Sequence, residues 1–275
     1  MAQVYKLASE TIVANKPVET DDQIIERLRN RFNILENMTR AVKTGKVRSM
    51  IVSGPPGVGK SHNVEKVLSV HDTIADIAGD PGMRQYEIVK GTMSALHLYL
   101  KLYTYKDPKN IVVFDDCDSV LLDDESLGLL KTALDSTSRR TISWHKASRI
   151  LQEAGIPNSF DFMGGCIFIT NLKFDNVRSK KLRDHLAALE SRSHYLDLTI
   201  DTDHEKILRI KQIVGDGMLH KYRLGEDVES EIIEFISNNK HRMRELSLRM
   251  VIKAAELVKS FGTSWKEVAE LTLMT

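Results

Sequence analysis

Cysteine is nearly absent from this sequence, with only Cys117 and Cys166 among 275 residues. Both stand inside apolar runs, without zinc-ligand spacing or the dense pattern of a disulfide scaffold, which points to buried free thiols in a reducing compartment. There is no excess charge of either sign. Lys and Arg number 39 against 38 Asp and Glu, a formal net charge of +1. That balance excludes a uniformly basic nucleic-acid coat but allows a local basic patch, because a net charge says nothing about distribution. No run approaches the roughly 18 uninterrupted apolar residues of a membrane span. Met1 to Asn15 lacks the basic start, long apolar core and small-residue cleavage site of an export signal, and internal repeats are missing as well. The expectation is a soluble, cytoplasmic chain with no membrane partner. Hydrophobic residues, at 42%, and charged residues, at 28%, are in ordinary globular proportion and allow one large domain or two small ones.

Thr20 followed three residues later by Gln23 is a capping box. It opens a helix whose apolar stripe runs through Ile24, Leu28, Phe32, Leu35, Met38 and Val42 and ends near Thr44-Gly45. Five short apolar runs then read as strands: Met50 to Val52, Tyr86 to Val89, Ile111 to Phe114, Cys166 to Thr170 and Tyr195 to Ile200. Helix-compatible segments separate them. This alternation predicts an α/β fold with a mainly parallel five-stranded sheet, covered on both faces and binding ligands at the carboxyl ends of its strands. After Asp201 the strand signal stops. Capping boxes at Thr202/Glu205 and Ser264/Glu267, and the helical spacing of Val228, Ile232, Phe235 and Ile236, predict a small all-helical subdomain. The expected division is 1–201 for the α/β part and 202–275 for the helical part.

Gly54-Pro55-Pro56-Gly57-Val58-Gly59-Lys60-Ser61 satisfies the phosphate-loop pattern, and it lies between an apolar strand and a helix-compatible segment, as that motif requires. Its glycines let backbone N–H groups curl around a β-phosphate. Lys60 reaches the β- and γ-oxygens and the Ser61 hydroxyl ligates magnesium. The following helix directs its positive end at the phosphates. His62, next in the chain, is counted with this loop as a helix-face neighbour of the nucleotide and not as a catalyst. The strand Ile111 to Phe114 ends in two carboxylates. Asp115 is the expected second magnesium-side acid, and Asp116 the group that orients and polarises the attacking water. The expected ligands are therefore ATP and Mg2+. The acidic run Asp123-Asp124-Glu125 reads instead as solvated charge favouring the start of a helix.

With both motifs and the helical tail, residues 20 to 260 resemble the AAA+ ATPase family, in particular its small clamp-loader-like and helicase-loader-like members, bacteriophage-encoded ones included. The resemblance implies the family's P-loop fold with a helical lid, a homo-oligomeric ring such as a hexamer, and ATP hydrolysis at a subunit interface. For a phage-encoded member the compartment is the host cytoplasm. Asn171, closing the strand Cys166 to Thr170, is similar to the sensor-1 residue near the γ-phosphate. Arg192, in Glu190-Ser191-Arg192, looks like the arginine finger that reaches a neighbouring subunit's ATP. Arg244 looks like the sensor-2 arginine of the lid, with Arg242 and Arg249 as competitors. Asp116 stands where many members carry Glu, which leaves room for slow turnover.

The resemblance also bears on the client. Lys90-Gly91-Thr92-Met93-Ser94 carries no aromatic where protein-threading members place a pore loop. Ser138 to Gln152 has no acid and contains Arg139, Arg140, Trp144, His145, Lys146 and Arg149, at a place where several members insert a β-hairpin into the ring channel. Residues 139–149 are thus a candidate DNA contact, with Trp144 either stacking on bases or packed in a solvated hairpin. The expected role is DNA replication or remodelling. Protein remodelling of an unidentified client is the alternative, and a phosphate-loop kinase a distant one.

Overall fold

The computed structural model describes residues 19–69, 77–79 and 85–275; the stretch Met1 to Asn15 lies outside them. Helix α1 (Asp21–Lys43) starts at a complete Thr20/Gln23 capping box and stops at Thr44, followed by Gly45 at φ +73°. Its buried residues are Ile24, Leu28, Phe32, Leu35, Thr39 and Val42, so the apolar stripe is the face it packs on the sheet.

Strands β1 (Ser49–Ser53), β2 (Tyr86–Lys90) and β3 (Ile111–Asp115) have helix α2 (Lys60–Leu68) and helix α3 (Ala95–Thr104) after the first two. After β3 come α4 (Ser119–Leu122), α5 (Asp124–Ala133), β4 (Thr141–Ser143), α6 (Arg149–Glu153) and β5 (Ser159–Asp161). The α/β part closes with β6 (Gly165–Thr170), α7 (Lys180–Glu190) and β7 (His194–Asp197). Five strands form one sheet in the order β2-β3-β6-β1-β7, and every pairing in it is parallel. β1, β3 and β6 are buried at every residue, which explains their continuous apolar character in place of alternation. Successive side chains go to opposite faces. Ile51, Val112, Phe114, Cys166 and Phe168 pack with α3 and α5, while Met50, Val52, Val113, Ile167 and Ile169 pack under α1 and α2. Phe114 and Phe168, paired across β3 and β6, stack with centroids 5.0 Å apart. Both cysteines are buried and unpaired. The β7 segment is shorter than the run Tyr195 to Ile200, because Thr199 N donates to Asp197 Oδ1 at 2.7 Å and turns the chain.

The C-terminal region is helical: α8 (Asp203–Gly215), α9 (Glu226–Asn238), α10 (Leu248–Phe261) and α11 (Trp265–Leu273). It has its own core around Leu219, Ile232, Val251 and Ala254. α8 begins at the Thr202/Glu205 capping box, whereas Ser264 makes no side-chain cap and belongs to a 3-10 turn. Arg27 on α1 bridges Glu19 and Glu205, and Arg31 donates to Thr199 O at 2.9 Å, so α1 is tied to the start of the helical region.

A two-stranded antiparallel sheet of β4 and β5 stands before β6. It is a hairpin, but its chemistry differs from the expected nucleic-acid contact. Trp144 is buried against Tyr99, centroids 5.8 Å apart, and is unavailable for stacking on a base. Arg140 is also buried, donating to Ala133 O at 2.8 Å. Arg139 pairs with Asp161, Lys146 with Glu125, and Arg149 with Glu153. The stretch lacks acids in sequence, yet the fold supplies them from outside it.

Candidate nucleotide site

β6 lies between β1 and β3, so the loops following these three strands open side by side at one end of the sheet. This is the crevice where parallel α/β sheets bind ligands. The phosphate loop leaves β1 with Gly54 buried and Val58 anchored in the core below it. Gly57 and Gly59 take φ of +71° and +100°, a region costly for residues with a Cβ. Pro55 and Pro56 stand between half-buried and exposed at the turn. Lys60 opens α2 almost fully buried, and its Nζ donates to Gly54 O at 2.7 Å, Pro55 O at 2.8 Å and Asn171 Oδ1 at 2.9 Å. Burial pushes its pKa down to about 8, against the pull of Asp116 and Asp115. His62 is exposed on α2 at the mouth of the cleft.

Ser61 Oγ donates to Asp115 Oδ1 at 2.7 Å. A hydroxyl and a buried carboxylate in contact form an all-oxygen donor set, which fits a hard divalent cation that keeps much of its water. Lys90 Nζ, from the paired end of β2, lies 3.3 Å from the other oxygen of Asp115. Asp116 has φ +51°, an uncommon conformation for a non-glycine residue. Its Oδ1 accepts from Asn171 Nδ2 at 2.9 Å. Lys60, Asn171 and Asp116 therefore form one chain of hydrogen bonds. Two positions further on, Asp118 accepts from Thr170 Oγ1 at 2.6 Å; burial raises its pKa and the threonine opposes the rise.

The helical region closes the site from above. Leu248 N donates to Gly57 O at 2.9 Å, and a Cβ on Gly57 would stand 2.6 Å from Ser247 Cβ. A cleft of ≈ 790 Å³ runs from Lys60 and Asp116 to Phe32 on α1, Arg209 on α8 and Arg249 on α10. The sequence reading placed Arg244 here, and the structure corrects it: Arg244 Nε donates to Met274 O, and its backbone N to Leu273 O. It holds the chain at Leu273 and Met274, while Arg249 lines the cleft and is near enough to lower the Lys60 pKa. The register of α10 on the phosphate loop makes this choice, and no local sequence signal distinguishes the two arginines. Arg209 and Gln212 were also missed. Their one trace in sequence is polar residues among Ile207, Leu208, Ile210 and Val214 on a buried helix face.

Arg192 is exposed at the far end of the sheet, where Ser49 Oγ donates to its carbonyl at 3.2 Å. Its Nη1 donates to Ala188 O. The five residues of β1, at roughly 3.3 Å each, separate this end from the phosphate loop.

No protein-family model matches the chain. Among solved structures it is loosely similar to a replication initiator DnaA bound to AMPPCP and single-stranded DNA, with 15% identity over 94% of this chain and 67% of that one and a TM-score of 0.46. It is similar to the same degree to the ADP form of Aeropyrum pernix ORC2, with 14% identity over 94% and 70% of the two chains and a TM-score of 0.43. Among curated proteins, the uncharacterized 36.7 kDa protein of the nrdC-mobD intergenic region of Enterobacteria phage T4 is 32% identical over 271 residues, 97% of this chain and 81% of the relative. The chain belongs to the family of this phage T4 protein, and its fold is a parallel five-stranded α/β sheet with a phosphate loop after β1 and a helical C-terminal region.

Proposed function

We propose that the protein binds Mg-ATP in the cleft between its α/β part, 1–201, and its helical lid, 202–275, and hydrolyses it at an interface between copies of the chain. The observation that carries this reading is the contact of Ser61 with Asp115 beside the hydrogen-bonded chain Lys60, Asn171, Asp116. Lys60 holds the β- and γ-oxygens, and the loop amides share the negative charge. Ser61 and Asp115 would hold Mg2+, which would supply Lewis-acid neutralisation of phosphate charge. Asp116 orients the attacking water and accepts its hydrogen, and Asn171 keeps that carboxylate beside the phosphate end of the site. Arg249 adds a cation from the lid.

Arg192 lies about 16 Å of strand away from its own phosphate loop, beyond the reach of an arginine side chain. Arg192 therefore does not serve its own site, and we assign it to a neighbouring copy's nucleotide in a homo-oligomeric ring. A phosphate-loop kinase would leave this arginine without a role. The expected result is that Lys60→Ala loses tight ATP binding, Asp116→Ala binds ATP without turnover, and Arg192→Ala binds ATP but hydrolyses little. Mixing the last two restores part of the activity, since an intact finger then meets an intact pocket. Wild-type turnover by Lys60→Ala and Asp116→Ala would refute the site. Turnover by a strict monomer, independent of concentration, would refute the assignment in trans.

For the work driven by this cycle we favour DNA replication or remodelling over protein remodelling. Within residues 139–149, Arg140 and Trp144 are buried and are not available for the contact. The support comes from Lys173, Arg178, Lys180 and Arg183, exposed between β6 and Arg192 and in no ion pair among the described residues. Four unpaired cations suit a phosphate backbone, where each neutralised phosphate adds to the salt dependence. Replacing all four with Gln is expected to weaken binding to DNA and flatten its salt slope, with ATP held by Asp116→Ala. Equal binding by the two proteins would favour a protein client.

A further inference from the structure

Arg209 is 4% exposed and Gln212 8% exposed, and both line the cleft on the side away from the phosphate loop's lysine. The Arg209 guanidinium lies over the Phe32 ring, its carbon 3.6 Å from the centroid, and Nη1 donates to Gln212 Oε1 at 2.7 Å. No carboxylate comes within ion-pair distance of Arg209 among the described residues; Asp216 and Arg29 are the charged groups that act on it from further off, with opposite signs. Burial lowers its pKa to about 10, so it is still a cation at neutral pH. Arg209 Nε and Gln212 Nε2 are buried without any hydrogen-bond partner.

Buried donors are nearly always satisfied, and an unpaired buried cation is expensive. Two such groups side by side on a ligand cleft indicate a partner that arrives with the ligand. The unpaired groups on this wall are both donors, Arg209 Nε and Gln212 Nε2. Those donors fit the acceptor edge of a nucleobase, such as a ring nitrogen, and Phe32 holds the guanidinium in place beside it. We propose that Arg209, held over Phe32 and bonded to Gln212, is the residue through which this cleft recognises the base of its nucleotide.

The inference rests on the nucleotide reading above, and binding measurements separate the two. ATP and inorganic tripolyphosphate are titrated by calorimetry against wild type, Arg209→Met and Gln212→Leu. Methionine keeps an unbranched side chain against Phe32 while removing the charge. Arg209→Met is expected to weaken ATP at least about tenfold, the scale of one charge-assisted hydrogen bond, and to leave tripolyphosphate unchanged. Gln212→Leu should weaken ATP by a smaller factor with the same selectivity, and it decides the matter if Arg209→Met does not fold. Unchanged ATP affinity, or equal loss for ATP and tripolyphosphate, would overturn base recognition while leaving the nucleotide site in place. Failure of the wild type to bind either compound would overturn the nucleotide reading itself.

Discussion

The backbone amide of Leu248 donates a 2.9 Å hydrogen bond to the carbonyl of Gly57, joining the first turn of a lid helix directly to the phosphate loop. Gly57 permits this contact in two ways: it adopts φ +71°, and it has no Cβ to meet Ser247 at 2.6 Å. Gly57→Ala should therefore cost about 1–2 kcal/mol for the backbone conformation alone and force the lid away from the loop. Urea unfolding is expected to show the loss, and ATP affinity to fall with it. Wild-type values for both would mean that the lid does not need this close approach.

Lys60 titrates near pH 8 in the folded protein against an ordinary 10.5. Between those values an unfolded chain holds a proton on Lys60 that the folded chain has released, so this lysine makes stability rise with pH through the window. Nucleotide phosphates require the charged form. ATP binding at about pH 8.5 is thus expected to take up protons, read by calorimetry in buffers of different ionisation enthalpy. A binding heat that does not differ between those buffers would mean that Lys60 already carries its proton at that pH.

Arg249 and Arg244 should separate cleanly. Arg249→Ala is expected to lower ATP affinity or turnover with little change in stability, since the side chain is exposed at the cleft. Arg244→Ala should leave ATP binding intact and lower stability by about 1 kcal/mol, the scale of the hydrogen bond to Met274 O that it loses. The opposite pattern in paired binding and unfolding curves would return the lid cation to Arg244.

Trp144→Ala removes a core side chain beside Tyr99 and Phe160. A loss of about 3–5 kcal/mol in stability is expected, with DNA affinity at low salt unchanged for whatever protein remains folded. Reduced single-strand affinity at unchanged stability would restore the stacking role.

Much of this molecule is determined by local sequence. The phosphate loop, the five strands of the main sheet, the paired acids after Ile111 to Phe114 and the capping boxes at Thr20 and Thr202 depend on neighbouring residues alone, through backbone freedom, apolar continuity and short-range hydrogen bonds. The order of the strands then brings Asn171 between Lys60 and Asp116, a consequence of β6 lying between β1 and β3 that spacing along the chain does not contain. Tertiary structure alone decided what long side chains meet. An arginine's charge is local, but its partner is not. Asp161 and Glu125 neutralise a loop that has no acid of its own, the α10 register selects Arg249 over Arg244, and the fold of α8 over α1 sets Arg209 on Phe32. Each of these outcomes depends on groups distant in sequence arriving within hydrogen-bonding or packing distance, and only the packed chain fixes those distances.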